Sequence, residues 1–207
     1  MTATIDYTSE DAVSTLFDTD FTDDLHLYLG LDPTLDSSDQ PVSVDDLLHD
    51  AIHIVEGDQW RNILNKDVLL QIPYDAFCAT DNKIYLPFGT VNSVTTFTYI
   101  DSDGDEQTLT EGTDYTLYTQ EPAFCWADNW WDVVTDLTTD NPVAAEITYT
   151  TGYSSFSEIP RGTLRALKIM CYYIFNNRGL DDVQVPMAYR HQCMQAMANN
   201  RRALEYV

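Results

Sequence analysis

Lysine is nearly missing from this chain: only Lys66, Lys83 and Lys168 stand beside seven arginines and 34 carboxylates, for a formal net charge of −24 over 207 residues. A field this negative repels phosphate backbones, which argues against nucleic-acid binding through a basic groove and against docking on an anionic membrane. Cysteine is sparse as well. Cys78, Cys125, Cys171 and Cys193 are widely spaced with no Cys-x-x-Cys pair, so clustered zinc ligation is disfavoured and reduced, mostly buried thiols are expected. No apolar run approaches a membrane span, and neither a basic nor an apolar signal region opens the chain; a soluble protein, not secreted by the usual signal, is expected. Absent too are Gly-x-Ser-x-Gly, a phosphate loop, Gly-x-Gly-x-x-Gly and His-Glu-x-x-His. Paired carboxylates occur throughout because Asp occurs throughout, so they point to no chemistry. We expect no catalysis, no cofactor and no metal.

What is present argues for a packed protein. Apolar residues make up 44% and aromatics 12% of the sequence, enough for one sizeable core, or one core plus an insertion, and too much for a disordered chain. The charge is unevenly spread: −15 over residues 1–60, −13 over 61–158 and +4 over 159–207. Scarce cations gathered at one end point to packing or to an acidic partner. The acidity itself has two compatible readings. One is a surface hydrated for a salt-rich cytoplasm, which the chain-wide depletion of Lys favours; the other is a surface past which DNA slides without sticking.

Periodicity gives an α+β chain, a small helical bundle carrying a β-sheet and hairpin insertion, with a C-terminal helical pair. Residues 1–20, polar and Thr-rich, read as an acidic, mobile or partner-ordered arm. The remainder, 21–207, reads as one domain. A short Leu-rich helix covers 21–31. Ser43 caps a second helix over 44–65, whose apolar face is Val44, Leu47, Leu48, Ala51 and Val55. Strands occupy 68–150, including a hairpin that turns at Asp101-Ser-Asp-Gly-Asp105. Helices return at 160–178, with Gly179 as the stop, and at 187–206.

Few residues suggest a site. Asp101–Asp105 departs from calcium-loop spacing, with Gly104 at the fourth position, and is read as a turn. His49 and His53 sit at i, i+4 with Glu56 beyond, which could present three zinc ligands; two partly buried or rim histidines are the favoured alternative. Trp126, Trp130 and Trp131, in an insertion over 123–141, are open to three roles: subunit contact first, then internal packing, then ligand binding.

The motifs run in a telling order: Leu25-His-Leu-Tyr-Leu-Gly-Leu-Asp32, Ala51-Ile-His-Ile-Val-Glu56 with Trp60-Arg61, Leu86-Pro87 and Val91-Asn-Ser-Val94, Tyr99-Ile-Asp-Ser-Asp-Gly104, Tyr115-Thr-Leu117, Thr148-Tyr-Thr-Thr-Gly-Tyr153, then Ile159-Pro-Arg-Gly-Thr-Leu-Arg-Ala166 through Tyr173 to Asn177-Arg178. In this order, from Phe21 to Tyr206, the chain resembles the head-tail connector (adaptor) proteins of tailed bacteriophages and tailed archaeal viruses. The acidic start and the tryptophan-bearing insertion depart from that pattern, as does Gly30, where a basic residue is frequent.

The resemblance implies a virion protein of the head-tail junction, made in the host cytoplasm. It would form a ring, usually of twelve copies, joining the portal protein to a stopper or tail-completion protein while viral DNA passes through the channel without specific binding. A closed ring of identical subunits needs two different complementary faces on each copy. Arg190, Arg201 and Arg202 would then meet an acidic portal or neighbour, with Trp126, Trp130 and Trp131 as further interface candidates. A halophilic archaeal host would suit the Asp-to-Lys imbalance. Two alternatives are a stopper or tail-completion component, and a soluble glycan-binding module using the tryptophan loop.

Overall fold

A computed structural model describes residues 4–10, 12–34, 42–59, 61–78, 82–130, 134, 137, 142–177 and 185–204, without the side chains of 4, 59, 78 and 197–204. Its helices are α1 (Val13–Leu16), α2 (Thr19–Leu29), α3 (Val44–Gln59), α4 (Tyr74–Cys78), α5 (Arg161–Asn176) and α6 (Met187–Leu204). Its strands are β1 (Thr4–Glu10), β2 (Lys66–Ile72), β3 (Lys83–Tyr85), β4 (Val91–Ile100), β5 (Glu106–Thr108), β6 (Thr116–Tyr118), β7 (Phe124–Trp126) and β8 (Ala145–Thr151). The architecture is α+β, with the C-terminal helical pair that periodicity gives. Contacts divide the chain into two compact units: residues 1–10 with 65–152, and 11–64 with 153–207.

The first unit is β-rich. Its five-stranded antiparallel sheet runs β1-β2-β8-β4-β5. Alternation in β2 and β8 sends every second side chain inward, and register sets Val68 opposite Tyr149 and Leu70 opposite Ile147. Fully burying an aliphatic of this size is worth about 1.5–3 kcal/mol, so these pairs fix the register. A second sheet, β3-β7-β6, adds Ile84 and Cys125 to the same core. At the β4–β5 turn Asp101 Oδ1 accepts the amides of Asp103 (3.1 Å) and Asp105 (2.9 Å), and Gly104 takes φ 86°. Gln107 Nε2 donates to the other oxygen at 2.8 Å. These bonds, that of Gln107 first, hold the Asp101 carboxyl below its usual range. The segment is the hairpin turn that its spacing implies.

The expected N-terminal arm is corrected. Thr4–Glu10 is an edge strand paired with β2 from Thr4↔Gln71 to Glu10↔Lys66, and Val13, Leu16 and Phe17 are buried. Thr, Ile and Tyr suit a strand, and an edge strand needs ladder hydrogen bonds more than burial. Acidity and exposure therefore conceal it in the sequence.

The second unit is helical. Leu25, Leu48, Ile52, Leu64, Leu167 and Met170 form the centre of its core. Asp18 caps α2, its Oδ1 accepting the Phe21 amide at 2.8 Å, and Gly30 closes that helix at φ 74°. Ser43 Oγ accepts the Asp46 amide at 3.2 Å at the head of α3, as the capping pattern anticipates. That helix stops at Gln59 rather than 65. The chain turns in so that Ile63 and Leu64 can be buried, and Glu56 satisfies their amides. The stop expected at Gly179 lies outside the described residues.

Candidate assembly surfaces

No helix among the described residues is long and apolar enough to cross a membrane. The thiols that can be placed are buried. Desolvation pushes Cys125 and Cys171 up to about 12 and Cys193 to about 11, leaving each protonated and unreactive near neutrality. The side chain of Cys78 is not described.

His49 and His53 are both exposed, with their Nε2 atoms 3.1 Å apart. Glu56 cannot join them as a third ligand from the same helix face. It is buried, and its Oε1 accepts the amides of Ile63 at 2.6 Å and Leu64 at 3.1 Å. Glu56 is therefore not grouped with the two histidines, which are exposed rather than partly buried.

The tryptophans separate. Trp130 is 3% exposed and packs its ring 5.7 Å from Phe97 and 6.0 Å from Phe77. It belongs to the core and is withdrawn as a docking residue. Trp131 lies outside the described residues. Trp126 is half-buried on β7, on the face opposite the buried Cys125. That face of the small sheet is aromatic. Phe124 stacks on Tyr118 at 4.8 Å and meets Tyr85 at 5.8 Å, while Lys83 Nζ lies 4.6 Å from the centre of the Phe124 ring. Register aligns Tyr85, Phe124 and Tyr118 in one row and Lys83, Trp126 and Thr116 in the next. Tyr85 is 57% and Tyr118 46% exposed.

A second apolar patch lies in the helical unit. Leu27 and Tyr28 of α2 are 65% and 49% exposed, and Tyr28 meets Tyr172 of α5 edge-on at 5.9 Å. Leu27 and Tyr28 fall in the short Leu-rich helix expected over 21–31. Their exposure becomes legible only once Phe21, Leu25 and Leu29 define its buried face.

The cations are also sorted. Arg190 Nη1 lies 2.8 Å from Asp58 Oδ1 within the helical unit, so its charge is engaged inside the chain. Arg201 and Arg202 fall on α6, but their side chains are not described. A stripe missed as such in the sequence is Arg161, Arg165 and Lys168, at i, i+4 and i+7 on α5. It lines a cleft of about 550 Å³ with Phe21, Phe156, Leu164 and three aspartates, and Lys168 pairs with Asp24. Spacing alone would have found it.

One loop carries the motif order. Tyr149 Oη donates to the Pro87 carbonyl at 3.2 Å, and the single Thr151 Oγ1 proton is shared between the carbonyls of Phe88 (3.1 Å) and Thr90 (2.8 Å). These bonds hold a bend in which Phe88 and Gly89 both take positive φ. Leu86-Pro87 and Thr148–Tyr153, far apart in sequence, are thus a single structural device.

The chain shares its fold with chains of gene transfer agent particles. It superposes on one from the "Virion of native gene transfer agent (GTA) particle" with TM-score 0.60 and 17% identity, covering 92% of this chain and 93% of that one. Against the "Neck of empty GTA particle computed with C6 symmetry" the TM-score is 0.65 and the identity 16%, over 93% and 94% of the two chains. Against the "Neck of native GTA particle computed with C12 symmetry" the values are 0.56 and 16%, over 91% and 94%. No protein-family model and no curated protein matches the sequence.

Proposed function

We propose that this chain is a structural virion protein of a head-tail neck, an adaptor whose copies close into a ring. The ring joins the portal to the next neck or tail component and extends the DNA channel. The observation that carries this reading is whole-chain likeness: the superpositions on chains from gene transfer agent necks cover more than nine-tenths of both chains. Residues along this chain support it too, because motifs of the connector order share physical roles, as Tyr149 and Thr151 do with the 87–90 loop. The work of such a protein is contact rather than bond-making. Twelve copies is the ring size the connector resemblance implies.

The cationic end supplies the portal contact in this reading. Arg201 and Arg202 are its carriers, since Arg190 is tied to Asp58. Acidic residues lining the lumen would keep DNA moving, because like charge prevents adhesion. A salt-rich host cytoplasm would screen the resulting repulsion between copies.

Mixing the purified chain with its portal at high and low potassium chloride, followed by electron microscopy, tests the proposal. A ring beneath the portal is the expected image, and a ring further from the portal would favour a stopper or tail-completion role. A chain that stays monomeric beside its portal in molar salt, and is missing from particles, sinks the reading. Replacing Arg201 and Arg202 by Glu should abolish portal association.

A further inference from the structure

The proposed ring raises the question of which two surfaces of each copy meet. Among the described residues, one aromatic patch in each unit differs in charge from the other: exposed Tyr85 and Tyr118 with half-buried Phe124 and Trp126 on the small sheet, and exposed Leu27, Tyr28 and Tyr172 on α2 and α5. Exposed apolar clusters with polar rims mark contact surfaces, and Tyr and Trp are enriched at such contacts. The patches differ in charge. The nine residues of β3, β6 and β7 include no carboxylate, in a chain that holds 34, and they present Lys83. The outer side of α2 instead carries exposed Asp23, one helical turn before Leu27, and exposed Asp20, which also lines the cleft holding Arg161 and Arg165.

We infer that the aromatic sheet face of one copy seats on the α2–α5 patch of the next copy, with Lys83 directed at the α2 aspartates. The inference rests on the ring reading and specifies its interface. Complementary charge on two unlike apolar surfaces is what a head-to-tail contact requires, whereas pairing of either patch with its own copy would bring like charge together. Such a contact repeats from copy to copy, as a ring of identical subunits requires.

Two experiments decide it. In the first, the wild-type chain is assembled from an equimolar mixture of ¹⁴N- and ¹⁵N-labelled copies and treated with a carbodiimide, which joins amines to carboxylates in direct contact. Lys83 is one of three lysines; Lys66 is buried and Lys168 pairs with Asp24. A mixed-label crosslink between the Lys83 peptide and the peptide holding Asp20 and Asp23 is expected. Crosslinks from Lys83 to other acidic segments alone, or none in a closed ring, overturn the inference.

In the second, Tyr85→Asp/Tyr118→Asp disables the sheet face and Leu27→Asp/Tyr28→Ser the helix face. Unchanged circular dichroism and thermal midpoints establish folding. Each variant alone should be monomeric by sedimentation, and their equimolar mixture should stop at heterodimers, since one intact face of each kind remains per pair. A ring from either variant alone, or a homodimer of one of them, overturns the inference. So does a variant that still closes rings but loses the portal, since the patch would then serve the portal. In those cases the ring reading survives. A wild-type chain that never closes a ring removes both.

Discussion

Glu56 and Ile63 stand seven residues apart and are joined by a 2.6 Å hydrogen bond from the Ile63 amide to the Glu56 carboxylate. The same oxygen takes the Leu64 amide at 3.1 Å, and the glutamate is buried. A carboxylate here acts as a clamp: it ends α3 and allows two large aliphatics to enter the core without stranding their amides.

Removing that clamp should be costly. Hydrogen bonds to a charged acceptor contribute about 1.5–3 kcal/mol each, and the orphaned amides would be buried. Glu56→Ala is expected to lose about 3 kcal/mol, lowering the melting temperature by roughly 6–12 °C at this chain length. Glu56→Gln, which keeps an accepting oxygen, should lose about 1 kcal/mol. Calorimetry of both variants checks the order; equal losses would mean that the carboxylate is a space-filler.

The bend at 86–90 depends on β8. Tyr149→Phe removes one hydrogen bond, and Thr151→Val removes the one hydroxyl proton that the Phe88 and Thr90 carbonyls share, so each should cost about 1 kcal/mol. Both variants should exchange amide hydrogens faster around Phe88 to Thr90 and leave the helical unit unchanged. Hydrogen exchange read by mass spectrometry would show it.

Much of the architecture was legible because periodicity reports burial. Val44, Leu47, Leu48, Ala51 and Val55 recur at helical spacing, and all are buried. Asp101 to Asp105 carries its turn chemistry locally, so it could be read without partners. What escaped the sequence depends on distant residues. β1 is exposed along Asp6–Glu10, so no hydrophobic alternation betrays it, and β2 alone supplies its hydrogen bonds. Trp130 resembles a surface platform beside so many aspartates until Phe77 and Phe97 enclose it. Arg190 reads as a free cation until Asp58, 132 residues away, is brought beside it.

That last pair separates structural from docking arginines. Arg190 is partly exposed, so breaking its contact with Asp58 should cost no more than about 1 kcal/mol. Arg190→Ala is expected to stay folded and to retain portal association in a pull-down. Loss of portal association in that variant would return Arg190 to the interface.

Alkaline pH should weaken the fold through its thiols. Burial raises Cys125 and Cys171 to about 12 and Cys193 to about 11, whereas unfolded thiols ionise near 9. Above pH 9 the native state therefore holds more protons than the unfolded one, and stability falls as pH rises. The contribution is fully present below about pH 8 and is lost progressively as pH climbs towards 11–12, each thiol giving about 1.4 kcal/mol per pH unit once its unfolded form is ionised. Tyr115 and Tyr149, also pushed up chiefly by burial, add to the loss only above about pH 10, where unfolded phenols ionise. Denaturant titrations from pH 8 to 10 in the presence of a reductant should follow this decline. Cys125→Ala should flatten it by about one thiol's share, even though the cavity lowers stability at every pH. An unchanged slope in that variant would mean that the Cys125 thiol ionises as readily in the native protein as in the unfolded chain.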